Sequence, residues 1–214
     1  NVFPRTTVLA FRDQKATAVE VCRQLRAGYV LEGSLRRAGN RLRISAHLID
    51  AATGFPVWSE RYDREMSDIF EVQDEIARKI AEALRITLSP QEQAELAAKP
   101  TENLQAYDLY LRGRSYARRR TTQDMEFALQ MFENAVVLDP NFALAYAAIA
   151  NGCAHAQYWS GRGEGWIERA QAASLRAVAL APDIPEVLVS QGWILYARGT
   201  YEDAVRLTRS AIAR

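Results

Sequence analysis

The sequence predicts an α+β amino-terminal partial domain, an antiparallel meander with flanking helices, followed by an all-α solenoid of helical hairpins. Two observations carry this expectation. Residues 29–62 hold period-two runs broken by short turns, whereas beyond residue 103 one phrase recurs: Ala135-Val-Val-Leu-Asp-Pro140, Ala177-Val-Ala-Leu-Ala-Pro182 and Ala211-Ile-Ala-Arg214. The copies lie 42 and then 34 residues apart, and the third would carry its proline past residue 214. A helical unit repeated in this way points to binding rather than to chemistry.

The first element is a helix between Ala16 and Ala27, with Val19, Cys22, Leu25 and Arg26 at helical spacing. Tyr29 to Arg37 and Arg41 to Asp50 then flank Ala38-Gly-Asn40, and Leu42, Ile44, Ala46 and Leu48 alternate with Arg41, Arg43, Ser45 and His47. Period two around Gly-Asn reads as a β-hairpin. A turn at Thr53-Gly54 leads to a third strand, Phe55 to Tyr62, where Trp58 and Tyr62 share a face and Pro56 sits at the tolerated start. Ser67 or Asp68 caps a helix carrying Ile69, Val72, Ile76, Ile80, Ala83 and Leu84. Both helices are amphipathic and suit one covered sheet face.

Four segments in order, Tyr29-Val-Leu-Glu-Gly-Ser34, Arg43 to Gly54, Trp58 to Asp63 and Asp68 to Ile76, make residues 1–88 resemble the TolB amino-terminal-like domain. In bacterial signalling proteins that domain often precedes tetratricopeptide repeats. The resemblance implies an earlier strand and helix, and before them an effector: a nucleotide cyclase, a protein kinase or a winged-helix DNA-binding domain. The expectation is therefore a regulatory part of a larger protein.

Residues 89–102, around Leu88-Ser-Pro-Gln-Glu92 and Lys99-Pro100, are predicted to be a linker. The helical part spans 103–214. Each Leu-x-Pro ends a helix, because proline lacks the N–H to continue it. Aligned on those prolines, Gly113, Ala150 and Gly192 fall together in the leading helices, and Ala128, Ala170 and Ala204 in the following ones. Phe132, Ser174 and Thr208 share the next position and Ala135, Ala177 and Ala211 the one after. Small residues at both crossings let backbones approach. These offsets resemble tetratricopeptide repeats, about two and a half of them, with an enlarged turn at Tyr158-Trp-Ser-Gly-Arg-Gly-Glu-Gly165 as the chief departure.

Composition is that of a globular chain, 49% hydrophobic and 25% charged. With 27 basic against 26 acidic residues the net charge is +1, which supplies no general attraction to nucleic acid. No apolar run spans a membrane. The reading places the fragment in the cytoplasm, or in the periplasm where the parent carries an upstream span. Arg112, Arg114, Arg118, Arg119 and Arg120 crowd the end of a helix, where cations oppose the dipole, and Arg36, Arg37, Arg41 and Arg43 crowd the hairpin, where they blunt an edge.

Catalytic, cofactor and metal sites are not expected. Cys22 and Cys153 lack paired spacing, and His47 and His155 form no ligand pair. Gly161-Arg-Gly163-Glu-Gly165 follows a helix and lacks the Gly-Lys-Ser/Thr ending of a phosphate loop. Asp68, Glu71 and Glu75 read as the solvent face opposite Val72 and Ile76. In tetratricopeptide arrays the leading helices line a concave groove. Transferred here, that arrangement selects Tyr107, Tyr110 and Arg114, then Leu144, Ala147 and Asn151, then Glu186, Val189, Trp193 and Tyr196. Aromatic anchors with Arg and Asn suit an extended peptide. The expected function is a non-enzymatic protein-interaction and regulatory module, with small-molecule sensing by the α/β part or the 158–165 turn as the alternative. Val205, Leu207, Ala211 and Ile212 on the last helix further suggest a homodimer through the terminal repeat.

Overall fold

The computed structural model describes residues 2–3, 7–8, 10–11, 16–160 and 165–212. The chain divides into two compact units, Asn1–Ala98 and Lys99–Arg214.

In the first unit, helix α1 (Ala18–Leu25) opens on a capping box. Thr17 Oγ1 accepts from the Glu20 amide at 3.3 Å, and the Thr17 amide donates to Glu20 Oε2 at 2.7 Å. Two of the helix's orphan donors are thereby satisfied. Arg26, in the left-handed region at φ 53°, ends it. Strands β1 (Tyr29–Ala38), β2 (Arg41–Asp50) and β3 (Pro56–Glu65) form an antiparallel sheet in the order β1-β2-β3. Gly39, at φ 59°, supplies the positive φ that the tight Gly39-Asn40 turn requires. A register shift falls between Leu48 and Ile49 in the β2–β3 pairing.

Alternation sends Leu42, Ala46 and Leu48 of β2 and Tyr62 of β3 to one face, where all are buried. Cys22 of α1 and Ile69 and Val72 of α2 (Ile69–Ala83) are buried in the same unit. A short 3₁₀ turn, Met66–Asp68, leads into α2, and Asp68 at its cap makes no side-chain capping bond. Ser67 Oγ donates instead to Asp68 Oδ1 at 2.8 Å, so neither of the two expected caps holds the first turn of α2. The segment expected to be a linker contains helix α3 (Pro90–Ala97). Proline at its first position costs no hydrogen bond, and Glu92 returns to the Ser89 amide at 2.7 Å.

The second unit is helical throughout: α4 (Leu104–Ala117), α5 (Thr122–Leu138), α6 (Ala143–Ser160), α7 (Gly165–Leu180), α8 (Pro185–Ala197) and α9 (Tyr201–Ile212). Successive helices pack as hairpins, α4 on α5, α6 on α7 and α8 on α9. Part of the expected enlarged turn is helical, since α6 continues through Ser160 and α7 starts at Gly165; residues 161–164 lie outside the described residues. The residues that align in the sequence meet in space. A Cβ on Gly113 would lie 2.5 Å from the Phe132 ring, and one on Gly192 would lie 2.6 Å from Thr208 Oγ1. Ser174, which aligns with Phe132 and Thr208, meets the next hairpin instead, its Oγ 3.2 Å from Ser190 Oγ on α8. Ala135, Ala150 and Ala177 are fully buried, so close backbone approach, not bulk, builds this core.

Candidate functional site

Helix α4 is anchored from both ends of its hairpin. Asn103 Oδ1 accepts from the amides of Gln105 and Ala106, both at 3.0 Å, while its Nδ2 donates to the Leu138 carbonyl at 3.1 Å. Thr101 Oγ1 donates to Asp139 Oδ2, closing the start of α4 onto the end of α5. This fixes the rotation of α4 and hence where its tyrosines point.

Tyr107 and Tyr110 are buried, at 7% and 4% exposure. The Tyr110 ring lies 5.8 Å from Phe132 and 5.1 Å from Phe142, so it wedges between α5 and the start of α6. Arg114 is exposed, with its guanidinium over the Tyr110 ring at 5.7 Å. Burial pushes the Tyr110 phenol above its ordinary value; Arg114 opposes this and the Glu186 carboxylate adds to it. Tyr110, Arg114 and Glu186 thus share one electrostatic neighbourhood although they stand on α4 and α8.

On α6, Asn151 is half-buried and its Oδ1 is enclosed without a hydrogen-bond donor. An amide oxygen without a donor in such a place is costly unless something supplies one. One turn on, the His155 ring lies 4.7 Å from Trp193 of α8. Burial, with Arg120 adding to it, holds the His155 imidazole below its usual range. Trp193 meets Tyr196 edge-on at 5.8 Å, and Tyr196 meets Tyr201 at 5.3 Å. Tyr196 is 41% and Tyr201 59% exposed, so this run of rings passes from half-buried to open surface. Val189 is half-buried and Glu186 exposed. Leu144, expected to line the groove, is half-buried, whereas Ala147 is fully buried against Ala177 and Val187 and belongs to the core.

The predicted residues therefore form two groups. Tyr107 and Tyr110 pack chiefly between helices, while Trp193 and Tyr196 join His155 in a partly open run of rings and Asn151 stands one turn before that histidine on α6. The expected set lacks His155 and Tyr201. The signal for the histidine was its position four residues after Asn151, which puts both on one helix face. Tyr201 belongs to a following helix, and only the α8–α9 turn brings it beside Tyr196.

Among the described residues no group of three His, Cys, Asp or Glu side chains is placed to hold a metal ion, and no helix is long and apolar enough to cross a membrane. Both cysteines are free and buried, and burial raises the Cys153 thiol to about 11. On α9, Tyr201, Val205 and Arg209 border an open recess of about 480 Å³, on the helix that the sequence reading assigns to a homodimer.

The second unit is helical and carries a partly open aromatic surface; the first carries a small antiparallel sheet. No family model matches the chain. Over 149 residues it is 38% identical to the protein named "Putative adenylate cyclase 3" of Rhizobium meliloti (strain 1021). That stretch is 70% of this chain but 25% of the relative, so the likeness spans about a quarter of that protein's length.

Proposed function

We propose that this chain is a non-enzymatic protein-interaction and regulatory module of a larger bacterial signalling protein, its helical unit a tetratricopeptide array that binds an extended peptide along α4, α6 and α8. The likeness to a bacterial protein named as a cyclase supports the signalling context. The meeting of aligned residues, Phe132 on Gly113 and Thr208 on Gly192, supports the repeat reading.

The observation that carries the binding role is the run of rings from His155 through Trp193 and Tyr196 to Tyr201. Asn151 stands on the same face of α6 as His155, one turn before it. Beside it the Trp193, Tyr196 and Tyr201 rings bury area at low entropic cost, as anchors of peptide interfaces do. Arg114 and Glu186 at the other end set polarity. The test is selection of a random displayed-peptide library on the whole chain, followed by titration of an enriched peptide. Trp193→Ala is expected to weaken it by about tenfold or more, within the range of hot-spot losses. Equal affinity for wild type and W193A would remove this surface from the account.

A further inference from the structure

The arginines at the end of α4 are not alike. Arg112 is ion-paired with Asp108 at 2.7 Å and Arg119 with Asp124 at 3.4 Å. Arg114 sits over the Tyr110 ring, and Glu186 of α8 acts on the same phenol, so a carboxylate answers that cation from the facing helix. Arg120, in the turn before α5, is exposed and forms no ion pair among the described residues.

Arg120 lies at the aromatic end of the helical surface. It is close enough to the His155 imidazole of α6 to oppose its protonation, and among the described residues no carboxylate acts on that ring in the other direction. His155 in turn lies 4.7 Å from Trp193, which meets Tyr196 edge-on. His155 and Trp193 are both half-buried. A carboxylate beside an unanswered cation and half-buried rings gains more than it would in open water, because its surroundings are less polar and less screened by salt.

We propose that the partner of this surface is an acidic segment within a polypeptide, with an Asp or Glu side chain beside Arg120 and an apolar residue about three positions along the segment resting on Trp193 and Tyr196. On the peptide-binding reading above, on which this depends, charge complementarity selects the acid, since opposite potentials across an interface steer encounter and fix register. Packed helices stand about 8–10 Å apart and an extended chain advances about 3.3 Å per residue, so a ligand crossing from α6 to α8 takes about three residues. Glu186, exposed on α8, repels a carboxylate from the Arg114 end and so fixes which end the acid takes. The occupant is a peptide because 27 basic residues against 26 acidic ones leave no basic stripe for a polyanion to follow.

Peptides enriched from the random displayed library, synthesised with amidated carboxyl ends and titrated against the whole chain by fluorescence anisotropy, test the assignment. Those that lose affinity in W193A are expected to carry an Asp or Glu about three positions from an apolar residue. Replacing that acid by Asn or Gln should weaken binding about threefold to fivefold, the size of an exposed ion pair. Arg120→Gln should do the same, whereas Arg112→Gln, which removes equal charge from an arginine already paired, should leave affinity unchanged. Arg120→Glu should prefer the peptide that carries Lys in place of the acid. Far-UV circular dichroism checks that each variant is folded. Peptides that depend on Trp193 but bind R120Q as tightly as wild type overturn the proposal and leave the peptide-binding surface standing. So do peptides that bind only with a free terminal carboxylate. A library whose peptides are all indifferent to W193A removes the surface and the proposal together.

Discussion

The sheet unit and the helical unit solve the burial problem in opposite ways. In the sheet unit a few large or medium side chains, Leu42, Leu48, Tyr62, Ile69 and Val72, fill one face and leave Leu31, Leu35 and Phe55 outside. In the helical unit the core is lined by Ala106, Ala128, Ala135, Ala145, Ala147, Ala150, Ala170 and Ala177, and packing depends on how closely backbones approach. The first arrangement rests on a few large contacts. The second tolerates little change in volume, so its surface aromatics stand on a stiff base.

The largest expected effect is at a large buried ring of the helical core, Phe132 at 2% exposure. Phe132→Ala should cost about 3–5 kcal/mol, the range for a buried phenylalanine that leaves a cavity. Amide exchange should speed through α4 to α6 while the β2 ladder stays as protected as in wild type. Equal acceleration in both units would break the contrast.

Next comes a matched pair of glycine substitutions. In Gly113→Ala the new methyl meets three atoms of the Phe132 ring at 2.5–3.0 Å, and overpacking of a rigid core costs about 1–3 kcal/mol. In Gly192→Ala the nearest atom is the Thr208 hydroxyl at 2.6 Å, the end of a short side chain that bonds to the Ala204 carbonyl at 2.8 Å. Turning it away forfeits that one bond, whereas the Phe132 ring has to shift bodily; the gain of about 1 kcal/mol in helix propensity is common to both substitutions. G113A should therefore lower the thermal midpoint clearly more than G192A.

In the sheet unit the corresponding weak point is a cap. Thr17→Ala removes the hydroxyl half of the capping box, the bond from the Glu20 amide, while its own amide still donates to Glu20; it should cost about 1 kcal/mol, read as faster exchange in α1 alone.

The smallest effect is a pH dependence confined to the helical unit. His155 binds its proton less readily when folded than when unfolded, because burial and Arg120 disfavour the charged ring. The stability it permits is complete above the unfolded value near 6.5 and drains as the pH falls from there through the lower folded value. Melts at pH 8 and pH 5.5 should differ more for wild type than for His155→Gln.

Local chemistry was legible in the sequence wherever one stretch of chain decides the outcome. The Gly39-Asn40 hairpin, the alternation along β2 and the start of α8 after Pro182 all follow from neighbouring residues. The helix Pro90–Ala97 was read as linker because its apolar residues are too few to show a period. The length of α6 was hidden by the glycines just beyond Ser160. For the site, helical spacing named the face of α4 but not the depth of Tyr107 and Tyr110. For Tyr110 that depth is set by Phe132 and Phe142, more than twenty residues away along the chain. The unmatched acceptor on Asn151 was equally invisible, since it depends on which donors are missing around it.

The central claim is that the helical unit presents a peptide-binding surface and the sheet unit does not. Titration of a library-selected peptide against wild type, Trp193→Ala and Leu35→Lys measures it most directly. The account predicts a loss of about tenfold or more for W193A and wild-type affinity for L35K. Retained binding by W193A together with loss in L35K would contradict it.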